Sequence, residues 1–363
     1  MKNKKGSSPF GFLFGFVFII GAICLLWWNE GRTVANQKAI GEVKKNYKEV
    51  KSDKVDSKND GKLVVTNGEI VINDEEPVKD STFAVEAKTV KLSRVVEVYQ
   101  YDEKCTDDDG RETCTYDKVW SEDLIDSSNF ENKSYVNPTS KEYESESFYA
   151  NDVDLGAFNL PTELYSNVST SVEFKDLTEE VADSMNLSIN GSYYTSYEKS
   201  PVIGDYRISF KYSNLKGGTV LAVQDGNTFK AYTSKNNIKY FRLYEQILTG
   251  PEVIKKLVDE NNLLKWILRA VGVIVMFLGF MTLLSPLTWL ASKIPVIGNI
   301  INSFTGFIGF LVSLALSLVV IAIAWLRFRP IIAIVLICVI IGIIVLLIFL
   351  QKKNKKVAVV NEE

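Results

Sequence analysis

Only Asp/Glu, Lys, Tyr or Ser–Lys chemistry is open to this chain, because it contains no histidine. That absence removes the Ser–His–Asp and Cys–His nucleophile arrangements, imidazole metal ligands and histidine-based pH switching. Carboxylates two residues apart occur at Glu144/Glu146 and Asp152/Asp154. Such pairs point to one face of a strand, which suits acid–base work. Acidic surface strands carry the same pattern, so the expectation is no catalytic residue and no cofactor. Asp107-Asp108-Asp109 invites a calcium reading, but the alternating ligand spacing and closing glutamate of a calcium loop are missing. It reads as a solvated turn, and no metal site is expected.

The cysteines carry the most specific inference. Cys24 and Cys338 lie in apolar stretches, where a free thiol acts as a small hydrophobe. Between Cys105 and Cys114 stands Asp109-Gly110, a two-residue turn pair. A turn there sets Cys105 opposite Cys114, at a separation suited to a disulfide, and Tyr99 opposite Trp120. A hairpin over residues 91–125 with a Cys105–Cys114 disulfide is therefore expected, on the side of a membrane where such a bond survives.

The elements that must position these residues follow from patterning. Asn67-Gly68 between Leu63-Val64-Val65 and Ile70-Val71-Ile72 predicts a hairpin over 62–72. Strands are expected at 207–212, 219–224 and 228–233, the last two joined by Asp225-Gly226-Asn227. An Asp176…Glu179 capping spacing predicts a helix over 176–185, and residues 251–264 should run as helix into an apolar span.

The chain of 363 residues is sharply partitioned. Residues 10–28 and 266–350 are nearly uncharged, whereas 32–262 have the composition of a soluble domain. Residues 10–28 reach about 28 Å as a helix, enough for the hydrocarbon core. Trp27-Trp28-Asn29-Glu30 follows instead of a small-residue cleavage site, so this is an uncleaved anchor. Further spans are expected at 266–284, 304–326 and 331–350. Residues 286–302 are too interrupted to span and should lie in the interface. The fold class is thus a membrane α+β protein with four transmembrane helices, one N-terminal and three C-terminal. The boundaries read as a basic tail 1–9, helix 10–28, a β-rich extracytoplasmic domain 29–263, a three-helix unit 264–350 and a basic tail 351–363. Lysine clusters at both ends place both termini in the cytoplasm by the positive-inside rule. Arg327 and Arg329, in the connection between the last two spans, oppose that rule; either they snorkel to headgroups, the favoured reading, or the last two spans form a re-entrant hairpin.

Gly11 and Gly15 form a GxxxG spacing, which serves dimerisation or packing within the molecule's own bundle, and Gly272 and Gly279 repeat the ambiguity. Asn29-Glu30-Gly31-Arg32 reads mainly as structure, a helix ending at Gly31 at the membrane boundary, with docking of a partner or a lipid headgroup as the functional alternative; a helical extension of the first span through Lys45 is also compatible. The span interiors hold no ionisable residue, with Lys265 and Arg269 at an edge, which disfavours a transporter. A formal charge of −3 gives no support to nucleic-acid binding.

Several stretches together resemble the transmembrane protein 43 family, also called LUMA. Asn29-Glu30-Gly31-Arg32 resembles its signature. Val90–Arg94 with Val98-Tyr99-Gln100, Trp120-Ser121-Glu122, Asn129-Phe130, Asn137-Pro138, Gly204-Asp205-Tyr206-Arg207-Ile208-Ser209-Phe210 and Arg329-Pro330 follow in order. The Cys105/Cys114 pair and the short tails depart from the family pattern. The resemblance implies a membrane scaffold that self-associates, with no established catalytic residues; animal members sit in the endoplasmic reticulum and inner nuclear membrane and contact envelope proteins there. The expected function is a non-enzymatic scaffold embedded in the lipid bilayer, a homo-oligomer that binds an unidentified membrane or envelope protein. The alternative is a channel or transport accessory built on the C-terminal spans. A bacterial host would place it in the plasma membrane, and a eukaryotic host in the endoplasmic reticulum or nuclear envelope.

Overall fold

Alternating, β-branched sequence between two apolar ends produces a β-rich unit, Val43–Val253, and a helical unit made of the residues up to Glu42 and from Ile254 onward. The computed structural model describes residues 11–108, 111–291, 297–331 and 333–335.

Among the described residues of the β-rich unit, the strands form two seven-stranded sheets and two two-stranded ones. In the first large sheet, Leu63–Ile72 pairs antiparallel with Gly217–Asp225 and with Val153–Leu155. The second is built on Lys91–Asp108, which pairs with Tyr206–Tyr212, Glu146–Tyr149 and Arg111–Ser121. Both sheets send side chains into one core: Val64, Val220 and Ala222 from the first, Leu92, Val96, Ile208 and Phe210 from the second. Phe83 is fully buried among Tyr143, Tyr194 and Phe210, with ring centroids 5.1, 6.0 and 5.6 Å away. Such aromatic contacts add to the area each ring removes from water.

The expected strands at 207–212, 219–224 and 228–233 are present, the last as Thr228–Lys230 and Tyr232–Thr233. Gly226 takes φ 62° in the turn that joins two of them, a conformation glycine adopts without strain. The expected hairpin at Asn67-Gly68 is absent, because Leu63–Ile72 is one continuous strand of ten residues. Gly68 lies opposite Gly218, and a Cβ on Gly68 would collide with the Ser52 side chain. Glycine is here for close approach of another segment, while Asn67 Nδ2 donates to the Leu248 carbonyl at 2.8 Å. Long-range pairing overrides the local turn preference. The helix expected from Asp176 starts instead at Glu179, with Thr178 as its extended first cap. Tyr194 explains the shift: its hydroxyl accepts from Thr178 N at 3.0 Å, and Leu177 packs on the core.

In the helical unit, three described helices are long and apolar enough to cross a membrane, within Leu13–Asn46, Gly250–Pro286 and Gly306–Phe328. The first helix as a whole, Gly11–Asn46, has 36 residues, roughly 54 Å and nearly twice the hydrocarbon thickness. It does not end at Gly31. The second long helix, Gly250–Ala291, carries the expected run from 251 directly into the apolar span. The helices thus extend past the boundaries read from hydropathy, and the β-rich unit is correspondingly narrower than 29–263. The segment 286–302, expected to be interfacial, is helical at both ends: residues up to Ala291 continue the second helix, and Ile297 opens the third, Ile297–Phe328. Pro286 has no N–H for the Thr282 carbonyl one turn back, and Ser285 Oγ donates to that oxygen at 2.8 Å, which keeps the helix satisfied. A further helix starts at Pro330, because Ala333 N donates to the Arg329 carbonyl at 3.1 Å. Proline suits a first helical position, where its missing N–H costs nothing. Most of the expected span 331–350, with Cys338, lies outside the described residues, as do the tails 1–9 and 351–363.

Candidate functional site

Two places gather the residues singled out from the sequence. The first lies in the helical unit, where the polar end of the apolar stretch in the first helix meets polar residues of the other two. Glu30 is fully buried, yet both of its oxygens are hydrogen-bonded. Its Oε1 accepts from Arg269 Nε at 2.7 Å and Nη2 at 2.6 Å, and its Oε2 accepts from Trp325 Nε1 at 2.9 Å. The Arg269 guanidinium also sits over the Trp266 ring at 4.8 Å and the Trp325 ring at 5.9 Å. A buried carboxylate is tolerable only when paired and hydrogen-bonded in this way. Asn29, also fully buried, donates from Nδ2 to the Lys265 carbonyl at 3.0 Å and accepts from Arg32 Nη2 at 3.3 Å. One turn on, Asn261 Nδ2 donates to the Thr33 carbonyl at 3.3 Å.

The glycines of this unit are contact points between helices. A Cβ on Gly31 would stand 2.9 Å from the Phe328 ring, and Trp27 meets the same ring at a centroid distance of 5.5 Å. Gly31 therefore makes room for an aromatic neighbour in mid-helix, where glycine otherwise costs about 1 kcal/mol against alanine. Gly15 and Gly279 pack backbone to backbone: a Cβ on Gly15 would lie 2.8 Å from the Gly279 oxygen, and one on Gly279 would lie 3.0 Å from the Gly15 oxygen. Gly272 faces Leu26, whose Cδ2 a Cβ would meet at 2.5 Å. The GxxxG position at Gly15 is thus taken up inside the molecule. Gly11 opens the first helix.

The second place is the hairpin. Cys105 pairs with Cys114 across the two strands, their Cα atoms 4.0 Å apart and their sulfurs joined, and Tyr99 pairs with Trp120. The pair expected to form the turn, Asp109-Gly110, lies outside the described residues. Up to Tyr99 the long strand is held by Tyr206–Tyr212 and its flank. Beyond it, among the described residues, 100–108 form a ladder with Arg111–Ser121 alone, a two-stranded ribbon roughly 30 Å long. Family-motif residues brace its base. Gln100, fully buried, donates to the Asp123 carbonyl at 3.0 Å and accepts from Ile125 N at 2.9 Å. Asn137 replaces a missing strand: its Oδ1 accepts from Tyr101 N at 2.7 Å and its Nδ2 donates to Tyr101 O at 2.9 Å. Tyr135 stacks on Tyr116 with centroids 3.8 Å apart.

Gly204, Asp205 and Arg207 stand beside this base. Gly204 has φ 98°, a value side chains other than glycine's rarely allow. Asp205 accepts from Val202 N at 2.7 Å and from Ser196 Oγ at 2.9 Å. Arg207 forks onto both Glu97 oxygens at 2.7 and 3.0 Å and is flanked by the Trp120 and Tyr193 rings at 4.6 and 4.7 Å. Burial pulls the Arg207 pKa down, but its hydrogen bonds and charge pairing with Glu97 leave it above the ordinary value. Burial first, then Glu142, pushes the Tyr206 hydroxyl well above the usual tyrosine range; that hydroxyl donates to Glu142 Oε2 at 2.9 Å.

Three of the four paired carboxylates are taken up in hydrogen bonds, while the exposed Glu144 carboxylate lies 3.7 Å from Lys141 Nζ. Glu146 accepts from Arg94 Nη2 at 2.8 Å, beside the buried Arg94–Asp80 pair at 2.6 Å. Asp152 and Asp154 both accept from Asn159 Nδ2. Among the described residues, the cluster Glu103, Cys105 and Cys114 has metal-like spacing, but its sulfurs are committed to the disulfide. Sequence reading missed the Glu30–Arg269–Trp325 contact. The pairing joins residues 239 positions apart, and opposite charges near span edges were its only trace.

Residues 97–330 match the family described as transmembrane protein 43. The chain belongs to the transmembrane protein 43 family. Relatives include transmembrane protein 43 of Pongo abelii, 28% identical with 91% of this chain and 90% of the relative covered. The Homo sapiens protein is 27% identical over 90% and 87%, and a Drosophila melanogaster homologue 26% identical over 88% and 89%. No solved structure matches the chain. Membership in the transmembrane protein 43 family agrees with the three apolar helices and the β-rich unit between them, and it makes this chain an integral membrane protein.

Proposed function

We propose that this chain is a non-enzymatic membrane scaffold that self-associates and binds a protein partner through a β-rich domain held on the non-cytoplasmic side. The observation that carries this reading is the ribbon of residues 100–121, which leaves its parent sheet and is clipped near its tip by Cys105–Cys114. A two-stranded ribbon is marginal in water by itself. One that is braced at its base and cross-linked at its tip offers a pre-ordered surface, which lowers the entropic cost of binding. The disulfide supports an oxidising compartment for this domain, and the lysine-rich ends support cytoplasmic termini. The chemistry open to a chain without histidine is narrow, and its paired carboxylates serve as hydrogen-bond and ion-pair acceptors.

Crosslinking in native membranes, followed by purification in mild detergent and mass determination, tests the proposal. A homo-oligomer or a stoichiometric protein partner, with crosslinks mapping to 100–121, is the expected result. A lone monomer without crosslinked neighbours would overturn it.

A further inference from the structure

The charge cluster of the helical unit contains more positive charge than its own carboxylate can absorb. Arg32, Lys265, Arg269 and Arg329 converge where Glu30 is the carboxylate bonded within the cluster, and both Glu30 oxygens are already used by Arg269 and Trp325. Arg32 and Arg329 directly follow Gly31 and Phe328 in the chain, and a Cβ on Gly31 would stand 2.9 Å from the Phe328 ring. Lys265 lies close enough to feel the repulsion of Arg269 and Arg329. Most telling are three nitrogens closed off from solvent that have no hydrogen-bond partner among the described residues: Arg32 Nε, Arg329 Nε and Arg329 Nη2. Desolvated guanidinium donors of this kind are normally satisfied, and a guanidinium's planar fork matches phosphate oxygens. The cluster sits beside exposed Trp27, Trp28 and Trp266, the side chains that mark a headgroup level.

We propose that Arg32 and Arg329, assisted by Lys265, form a binding site for a phosphate group, the chemistry that an anionic phospholipid headgroup or free phosphate presents. Arg269 is excluded from the site because Glu30 holds it. This inference is independent of the scaffold reading.

The test uses the full chain, purified in dodecyl maltoside and washed free of lipid, then titrated separately with dioleoylphosphatidylglycerol and with sodium phosphate. Occupancy is read by native mass spectrometry and by the shift in Tm. Saturable phosphatidylglycerol binding, weakened about tenfold or more in Arg32→Gln and Arg329→Gln but retained in Arg327→Gln, whose side chain is exposed, supports the site with lipid as its source. The same pattern with sodium phosphate alone supports it with free phosphate as the source. Absence of binding of either probe to the wild-type chain overturns the proposal, as does unchanged binding in both glutamine variants. Should the glutamine variants fail to fold, Arg329→Lys decides, because it keeps the charge and loses the fork. Weakened binding there supports the site, and unchanged binding overturns it.

Discussion

A carboxylate with no exposed surface among apolar helices is the most consequential single residue in this protein. Replacing Glu30 by glutamine removes the negative charge that holds Arg269, whose side chain is itself largely buried. Breaking a buried pair from one side costs about 3–5 kcal/mol, because the remaining charge is stranded. The expected outcome is a marked fall in the detergent-phase Tm of Glu30→Gln, with partial recovery in Glu30→Gln/Arg269→Met. No recovery in the double variant would mean that the pair is not what holds these helices together. Gly15→Ala should cost about 1–3 kcal/mol by overpacking, since backbone atoms of Gly279 and Leu283 occupy the space. In the β-rich unit, Tyr206 supplies a pH signature. Its folded pKa is raised, so the folded chain keeps a proton that the unfolded chain releases near pH 10. Stability is therefore full below that pH and declines as pH rises past it. Denaturant melts at pH 7 and pH 11 should show a smaller alkaline loss in Tyr206→Phe, and an equal loss would remove Tyr206 as a contributor.

At the scale of elements, the hairpin shows how much a local pattern can decide. The turn signal at Asp109-Gly110 was enough to predict the pairing of Cys105 with Cys114 and of Tyr99 with Trp120, because one pairing fixes the register of a whole antiparallel strand pair. Asn67-Gly68, with the same local signal, is not a turn, because Gly217–Asp225 and Ser52 compete for that stretch from far along the chain. The difference is where the partner strand comes from. Reduction, or Cys105→Ser/Cys114→Ser, should leave global unfolding nearly unchanged but raise hydrogen exchange in residues 104–115. The strand below Val98 should stay protected, since Tyr206–Tyr212 holds its other edge. Uniform exchange along the whole ribbon in the disulfide-bonded protein would contradict this division.

At the scale of the whole molecule, the proposed topology makes a direct prediction. Protease added to the non-cytoplasmic face of sealed membranes should degrade Val43–Val253 and leave membrane-protected fragments. Digestion only from the cytoplasmic face would reverse the assignment and remove the oxidising environment from Cys105 and Cys114.

Composition and patterning alone determined the membrane class, the β-rich insertion after the first helix and the disulfide register, since apolar length and strand alternation are local quantities. The resemblance of Asn29-Glu30-Gly31-Arg32 and the later motifs pointed to the right family. Only the tertiary structure decided what those residues do. Gly31 accommodates Phe328 rather than ending a helix, Gly15 meets Gly279, and Glu30 neutralises Arg269. Each depends on contacts between helices far apart in the chain, and no spacing along one helix encodes which face of another will meet it.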